Sequence, residues 1–211
     1  MRKRSVATWG AIPVVAVLAL AAARPGVPAS APQPVDSVDP ATYVIDTVHS
    51  ELSFRIRHLI GRVAGNFTEW GGTLRLDPSD LSGGSVEVTI QTASINTLNE
   101  QRDAHLRSPD FFAADSFPTM TYRSNRVEVD GDRIKVYGDL TLRGVTRPVV
   151  LDGRYLGRLE ADPWGKERVA FLATTTINRQ DFGVSYNQAL ETMTMIGDEV
   201  EIEIAIEAVK Q

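Results

Sequence analysis

From Tyr43 to Val209 apolar and polar residues alternate with a period of two, the pattern of β-strands with one buried and one wet face. Leu52, Phe54 and Ile56 alternate with Ser53, Arg55 and Arg57, and Leu74 and Leu76 flank Arg75. Val86, Val88 and Ile90 alternate with Glu87, Thr89 and Gln91, while Ile134, Val136, Leu140 and Leu142 share one parity. The last run sets Val200, Ile202, Ile204 and Ile206 against Glu199, Glu201, Glu203 and Glu207. Asp130-Gly131 is a hairpin signal, and Ser82-Gly83-Gly84, Asp162-Pro163-Trp164-Gly165 and Gly197-Asp198 are further breaks. Together these predict an all-β chain of about eight antiparallel strands. No long helix is available to cover a sheet, so one-sided strands must close on each other, which also removes exposed edges. The expected fold is an antiparallel β-barrel whose interior is filled by side chains or holds one small ligand. A lipid-embedded barrel fits poorly, because the glutamates of the last strand lack aromatic girdles.

The alternation breaks between Thr97 and Pro118. Thr97 and Glu100 form a T-x-x-E capping box, and Ser108-Pro109 ends the helix they start. At 100° per residue, Leu98, Leu106, Arg102 and His105 share one face, with Glu100, Asp103 and Arg107 on the other. The expected element is a short helical lid, docked by its two leucines, that carries Arg102 and His105 to the barrel mouth.

Ahead of the barrel, Arg2, Lys3 and Arg4 precede an apolar run from Ala11 to Ala23, the arrangement of a secretory signal. Cleavage fits after Ala31 or near Ala23. The expected organisation is a signal peptide over 1–31, a Pro/Ala/Ser-rich linker over 32–41 and a barrel domain over 42–211, in an exported protein, periplasmic or secreted. Without 1–31 the chain keeps 18 basic against 27 acidic residues, a net charge of −9, which argues against nucleic acid and anionic membrane surfaces as charge partners. The sequence has no cysteine, so stability must come from core and sheet.

Several segments, in order, resemble the YceI-like family of exported, lipocalin-like barrels that bind polyisoprenoid lipids. They are Tyr43-Val44-Ile45-Asp46-Thr47-Val48-His49-Ser50, Phe54-Arg55-Ile56-Arg57-His58-Leu59, Gly65-Asn66-Phe67, Arg102-Asp103-Ala104-His105-Leu106 with Asp110-Phe111-Phe112 and Phe117-Pro118, Gly138-Asp139-Leu140-Thr141-Leu142-Arg143-Gly144-Val145-Thr146, and Asn178-Arg179-Gln180-Asp181-Phe182-Gly183. Gln180 stands where such patterns usually have serine. The resemblance covers Tyr43 to about Val209. It implies a lipocalin-like barrel that holds an isoprenoid or similar amphiphile, with the head group at the mouth, in a monomer or homodimer.

The residues themselves supply little catalytic machinery. His49, His58 and His105 show no H-x-H or H-x-x-x-H spacing, so no local metal site is expected. There is no G-x-S-x-G elbow and no phosphate loop, and no catalytic residue or cofactor is assigned. Candidate lining groups are Phe54, Ile56, Phe67, Trp70, Ile90, Met120, Leu140, Phe171, Phe111 and Phe112. His58 has inward parity. Arg102 is the first candidate for a head group, by its planar fork, and His105 the second; Arg143 and Arg179 are weaker ones. The competing readings are an enzyme acting on prenyl lipids through His105 or His58, and a dry-cored structural domain.

Overall fold

The computed structural model describes residues 40–189 and 194–211. The expected export segment, 1–31, and all but the last two residues of the expected linker lie outside them. The strands are β1 (Ala41–Ile45), β2 (Glu51–His58), β3 (Gly61–Phe67), β4 (Trp70–Asp77), β5 (Asp80–Gln91), β6 (Ile95–Asn96), β7 (Thr119–Asp130), β8 (Arg133–Leu142), β9 (Val145–Leu159), β10 (Arg168–Asn178) and β11 (Ile196–Lys210), with one helix, α1 (Glu100–Arg107).

Eleven strands make a closed barrel of eight staves because three staves are interrupted. β1 and β2 both lie antiparallel along β11, with Tyr43 opposite Lys210 and Ile56 opposite Val200. β4 and β3 in turn follow that stave, with Val44 opposite Thr73 and Ser53 opposite Asn66. β5 and β6 follow the next, with Ile90 opposite Trp70 and Ile95 opposite Phe67. The remaining staves, β7 to β11, follow in chain order as a meander. The eight staves match the number expected from the alternation, which does not show the interruptions that split three of them into separate strands.

The antiparallel order gathers the β2–β3, β8–β9 and β10–β11 connections, and the segment carrying α1, at one end, the mouth. The opposite end is packed shut by Tyr43, Leu76, Leu81, Val169 and Ala208, all buried. Below them the Tyr43 hydroxyl donates to Glu167, which also pairs with Lys210. Burial and that carboxylate push the Tyr43 phenol well above its ordinary range. At the neighbouring edge Arg168 donates to Asp46 and Asp162, both at 2.8 Å.

Close approach explains one glycine of the Gly138-Asp139-Leu140 segment. A Cβ on Gly138 would lie 2.7 Å from the Tyr122 ring and 2.6 Å from the Arg123 carbonyl. The ring crosses over this gap so that its hydroxyl donates to the carbonyls of Val136 (3.0 Å) and Val149 (3.2 Å). A side chain at 138 would break that buried contact.

Candidate functional site

The inward residues of β2, Leu52, Phe54 and Ile56, are only half-buried although they face the barrel axis. The interior they line is hollow. Two chambers occupy it. The outer one, of about 300 Å³, lies under α1 and is lined by Phe54, Ile56, His58, Phe67, Ile90, Arg102, His105, Phe111, Phe112, Met120 and Leu140 among others. The inner one, of about 180 Å³, is lined by Trp70, Ile90, Leu140, Phe171 and further aliphatic side chains. Leu52, Ile90, Leu140 and Ile202 border both. All thirteen residues singled out from the sequence therefore fall on one chamber or the other, Trp70 and Phe171 on the inner one.

Aromatic rings build the outer chamber's wall. Phe67 packs against Phe54 at 5.9 Å between centroids and edge-on against Phe112 at 6.1 Å. At the mouth, His105 stands edge-on to Phe111 and to Tyr186, each at 5.0 Å. Such edge-to-face contacts add about 1 kcal/mol per pair to simple burial.

The helix differs from its expected form in four respects. Its N-cap is Asn99, whose side chain accepts from the Arg102 amide, and the helix starts at Glu100. Leu98 does not dock: it adopts φ 60° and is 92% exposed. It precedes the helix, so helical spacing does not govern where it points. Asp103 does not face solvent either; it is buried and accepts from the Thr97 amide (2.9 Å) and hydroxyl (2.5 Å). Arg107 turns back to donate to the Ala93 carbonyl at 2.8 Å rather than pointing away from the barrel. Leu106, by contrast, packs on the core as expected.

Arg102 lines the outer chamber, and two of its nitrogens are committed locally, Nε to the Thr97 hydroxyl and Nη2 to the Thr97 carbonyl, both at 2.7 Å. Among the described residues no carboxylate forms a salt bridge with it. Thr97 thus fixes both Arg102 and Asp103. His105 lies 3.0 Å from the Asp110 carboxylate and is partly exposed. His58 ends β2 in an exposed position at the chamber's edge.

The two weaker arginine candidates are structural anchors. Arg143, at φ 53°, donates to the carbonyls of Pro109 (2.8 Å) and Phe111, pinning the segment after α1. Arg179 is buried and donates to the carbonyls of Val184 (2.5 Å), Tyr186 (2.9 Å) and Gly197 (2.8 Å) and to Asp198 (3.1 Å). Burial lowers its pKa, with Asp198 opposing. It shares the chamber wall with Tyr186, Ile177 and Met195, which sequence reasoning did not single out. Tyr186 and Met195 lie outside the strands, where no periodicity marks them, and Ile177 stands near the end of β10 in a threonine-rich run without clear alternation.

Away from the chambers, folding brings Asp46, His49 and Glu207 together, a grouping invisible in local spacing. Arg168 already supplies its cation, at 2.8 Å from Asp46 and 3.1 Å from Glu207. Hydrogen bonds from Arg168 first and His49 second lower the Asp46 pKa to about 2.

Residues 43–208 match the YceI-like domain. Protein YceI of Shigella flexneri is 37% identical over 174 residues, covering 81% of this chain and 88% of that protein. A YCEI protein of Campylobacter jejuni superposes with a TM-score of 0.65 at 33% identity, over 74% of this chain and 90% of that one. A domain from Saccharophagus degradans, described as polyisoprenoid binding, superposes with a TM-score of 0.58 at 17% identity, over 82% of this chain and 99% of that one. At that identity the likeness concerns the fold alone. With the match spanning nearly all of the barrel, this chain belongs to the YceI-like domain family.

Proposed function

We propose that this protein binds a long-chain amphiphile of the polyisoprenoid kind without covalent attachment, and stores or transfers it in the cell envelope without altering it chemically. The observation that carries this reading is the pair of adjoining apolar chambers along the barrel axis, joined at Leu52, Ile90, Leu140 and Ile202. A barrel whose role was purely structural would gain from filling that space, since packed interiors are denser and more stable. A hydrocarbon tail supplies the missing contacts and stabilises by roughly 0.8 kcal/mol for each CH2 it buries. The polyisoprenoid-binding description of the Saccharophagus degradans domain, which shares the fold, supports the same ligand class.

In this reading Phe54, Ile56, His58, Phe67, Phe111, Phe112 and Met120 surround the tail near the mouth, Ile90 and Leu140 hold its middle, and Trp70 and Phe171 take its end. Arg102 and His105 meet the head group. Arg102 is the better placed, because Thr97 orients the guanidinium while Nη1 has no partner among the described residues. Purifying the protein, extracting it with organic solvent and weighing the extract by mass spectrometry tests the proposal. A stoichiometric prenyl lipid is expected. A protein that comes out empty and takes up no polyprenol when offered one has no carrier function.

One observation favours a second reading: His105 and Asp110 form a hydrogen-bonded pair beside the chamber, the arrangement of a general base and its orienting carboxylate. Turnover of a presented prenyl lipid, abolished in His105→Ala with binding intact, would select an enzyme instead.

A further inference from the structure

We infer that the apolar tail enters and leaves through the side of the barrel, between β9 and β10, rather than by threading the mouth; this rests on the lipid reading above. β9 and β10 are paired only from Leu159 with Arg168 to Asp152 with Thr174. Nearer the mouth, β9 remains bonded to β8 through Val145, and β10 to β11 through Asn178, but not to each other. Val145–Leu151 and Thr175–Asn178 therefore form facing edges with ladder bonds on one side only. Unpaired edges in a soluble barrel are costly unless they serve a purpose, because they leave backbone groups without strand partners and invite foreign strands.

The inner side of this seam is apolar. Val149 and Leu151 of β9 line the inner chamber, as does Thr175 of β10, and Ile177 lines the outer one. A depression of about 520 Å³ on the outer wall shares the residues Thr175 and Ile202 with the interior, so the wall is one strand layer thick there. At the mouth end, Arg147 donates to the Asp181 carbonyl at 3.3 Å across the gap.

A second incomplete seam runs between β5 and β7, which pair only from Glu87 with Arg123 to Gln91 with Thr119. That one is bridged by the Val86 amide and the Ser124 hydroxyl at 2.8 Å. It borders the inner chamber alone, through Val86 and Val127. The β9–β10 seam runs beside both chambers, so a tail slipping through it would be laid along the full cavity without being fed in end first.

Because the sequence has no cysteine, the seam can be clamped cleanly. Extending the Asp152–Thr174 register puts Val150 opposite Thr176, and Val150→Cys with Thr176→Cys would join the lips by a disulfide. The probe is a dansyl-tagged geranylgeranyl lipid delivered from phosphatidylcholine vesicles, its arrival read by energy transfer from Trp70. The oxidised form should exchange the probe at least tenfold more slowly than the reduced form, with full recovery on adding reductant. If the thiols do not couple, a short bis-thiol cross-linker provides the same clamp. A companion His105→Cys, Tyr186→Cys clamp ties α1 down over the mouth; compared with its own reduced form, so that the loss of the His105 head-group contact cancels, the oxidised form should slow exchange far less. Equal rates in the clamped and open seam, with the cross-link verified by mass, overturn the proposal, as does arrest by the mouth clamp alone. Failure of both the parent protein and the reduced variant to take up any probe would instead refute lipid binding, and the side entrance with it.

Discussion

Replacing Leu140 by tryptophan plugs the junction of the two chambers and turns chain length into a measurable variable. Leu140 borders both, together with Leu52, Ile90 and Ile202, so a bulkier side chain there separates the outer 300 Å³ from the inner 180 Å³. An apolar cavity of roughly 150 Å³ accommodates a benzene-sized molecule, so the inner chamber has room for about one isoprene unit of five carbons. At roughly 0.8 kcal/mol per buried carbon, losing that unit removes at most about 4 kcal/mol of binding. The lost ordering cost of the tail returns part of it, leaving about 2 kcal/mol, or roughly a thirtyfold weaker Kd. Prenols short enough to stay in the outer chamber should bind Leu140→Trp with nearly unchanged affinity, whereas long ones lose that factor. Titration calorimetry with a C10 and a C40 prenol reads the difference directly. Overpacking itself costs about 1–3 kcal/mol of stability, so a urea curve must first establish that the variant is folded. Equal loss for short and long chains, or none for either, would refute the two-chamber account.

Arg102→Ala should weaken binding of phosphate- or carboxylate-headed prenyl lipids about tenfold and leave neutral prenols unaffected, by the same calorimetry. Equal loss for both would mean that Arg102 serves only to hold Thr97. Arg179→Met should cost about 3 kcal/mol in urea unfolding, because three backbone carbonyls lose a buried charged donor; a cost under about 1 kcal/mol would contradict the anchoring role. Asp46 has a folded pKa of about 2 against an ordinary 3.8, so its ionised form favours the folded state. That stability is fully present above about pH 4 and is lost as pH falls through 2, with an amplitude of roughly 2 kcal/mol. Asp46→Asn should flatten the stability curve in that window, as followed by urea midpoints between pH 5 and 2.

The barrel was largely legible because period-two alternation is imposed by the pleat itself, and a half-wet strand must obey it. The same parity singled out Phe54, Ile56, Ile90 and Leu140 as inward-facing, since no competing interaction acts on an aliphatic side chain in a strand. What parity cannot convey is whether the space ahead of an inward residue is filled or empty. That depends on side chains from staves far apart in sequence, such as Trp70 and Phe171. The helix was legible in extent but misread at its start. T-x-x-E is a familiar capping signature, whereas Asn99 is followed three residues on by Arg102, which offers no reciprocal carboxylate. The left-handed turn at Leu98 then moved the cap by two residues, freed Leu98 to solvent and turned Asp103 inward to Thr97. Arg143 and Arg179 looked like ligand contacts because a charged side chain beside a cavity and one that fastens a loop have the same composition; only their carbonyl partners distinguish them.

The circular order of the staves also governs how the chain can fold. Each stave from β3 to β11 lies beside one adjacent to it in sequence, so the meander can grow through local contacts, which form quickly. Only the pairing of β1 and β2 with β11 joins opposite ends of the domain, with Tyr43 opposite Lys210. Until β11 arrives, the first stave has an open edge and the hollow interior lies exposed along it. Closure therefore has to wait for β11, and a chain emerging N-terminus first passes through an open, aggregation-prone sheet until that fifteen-residue strand converts it into a closed barrel.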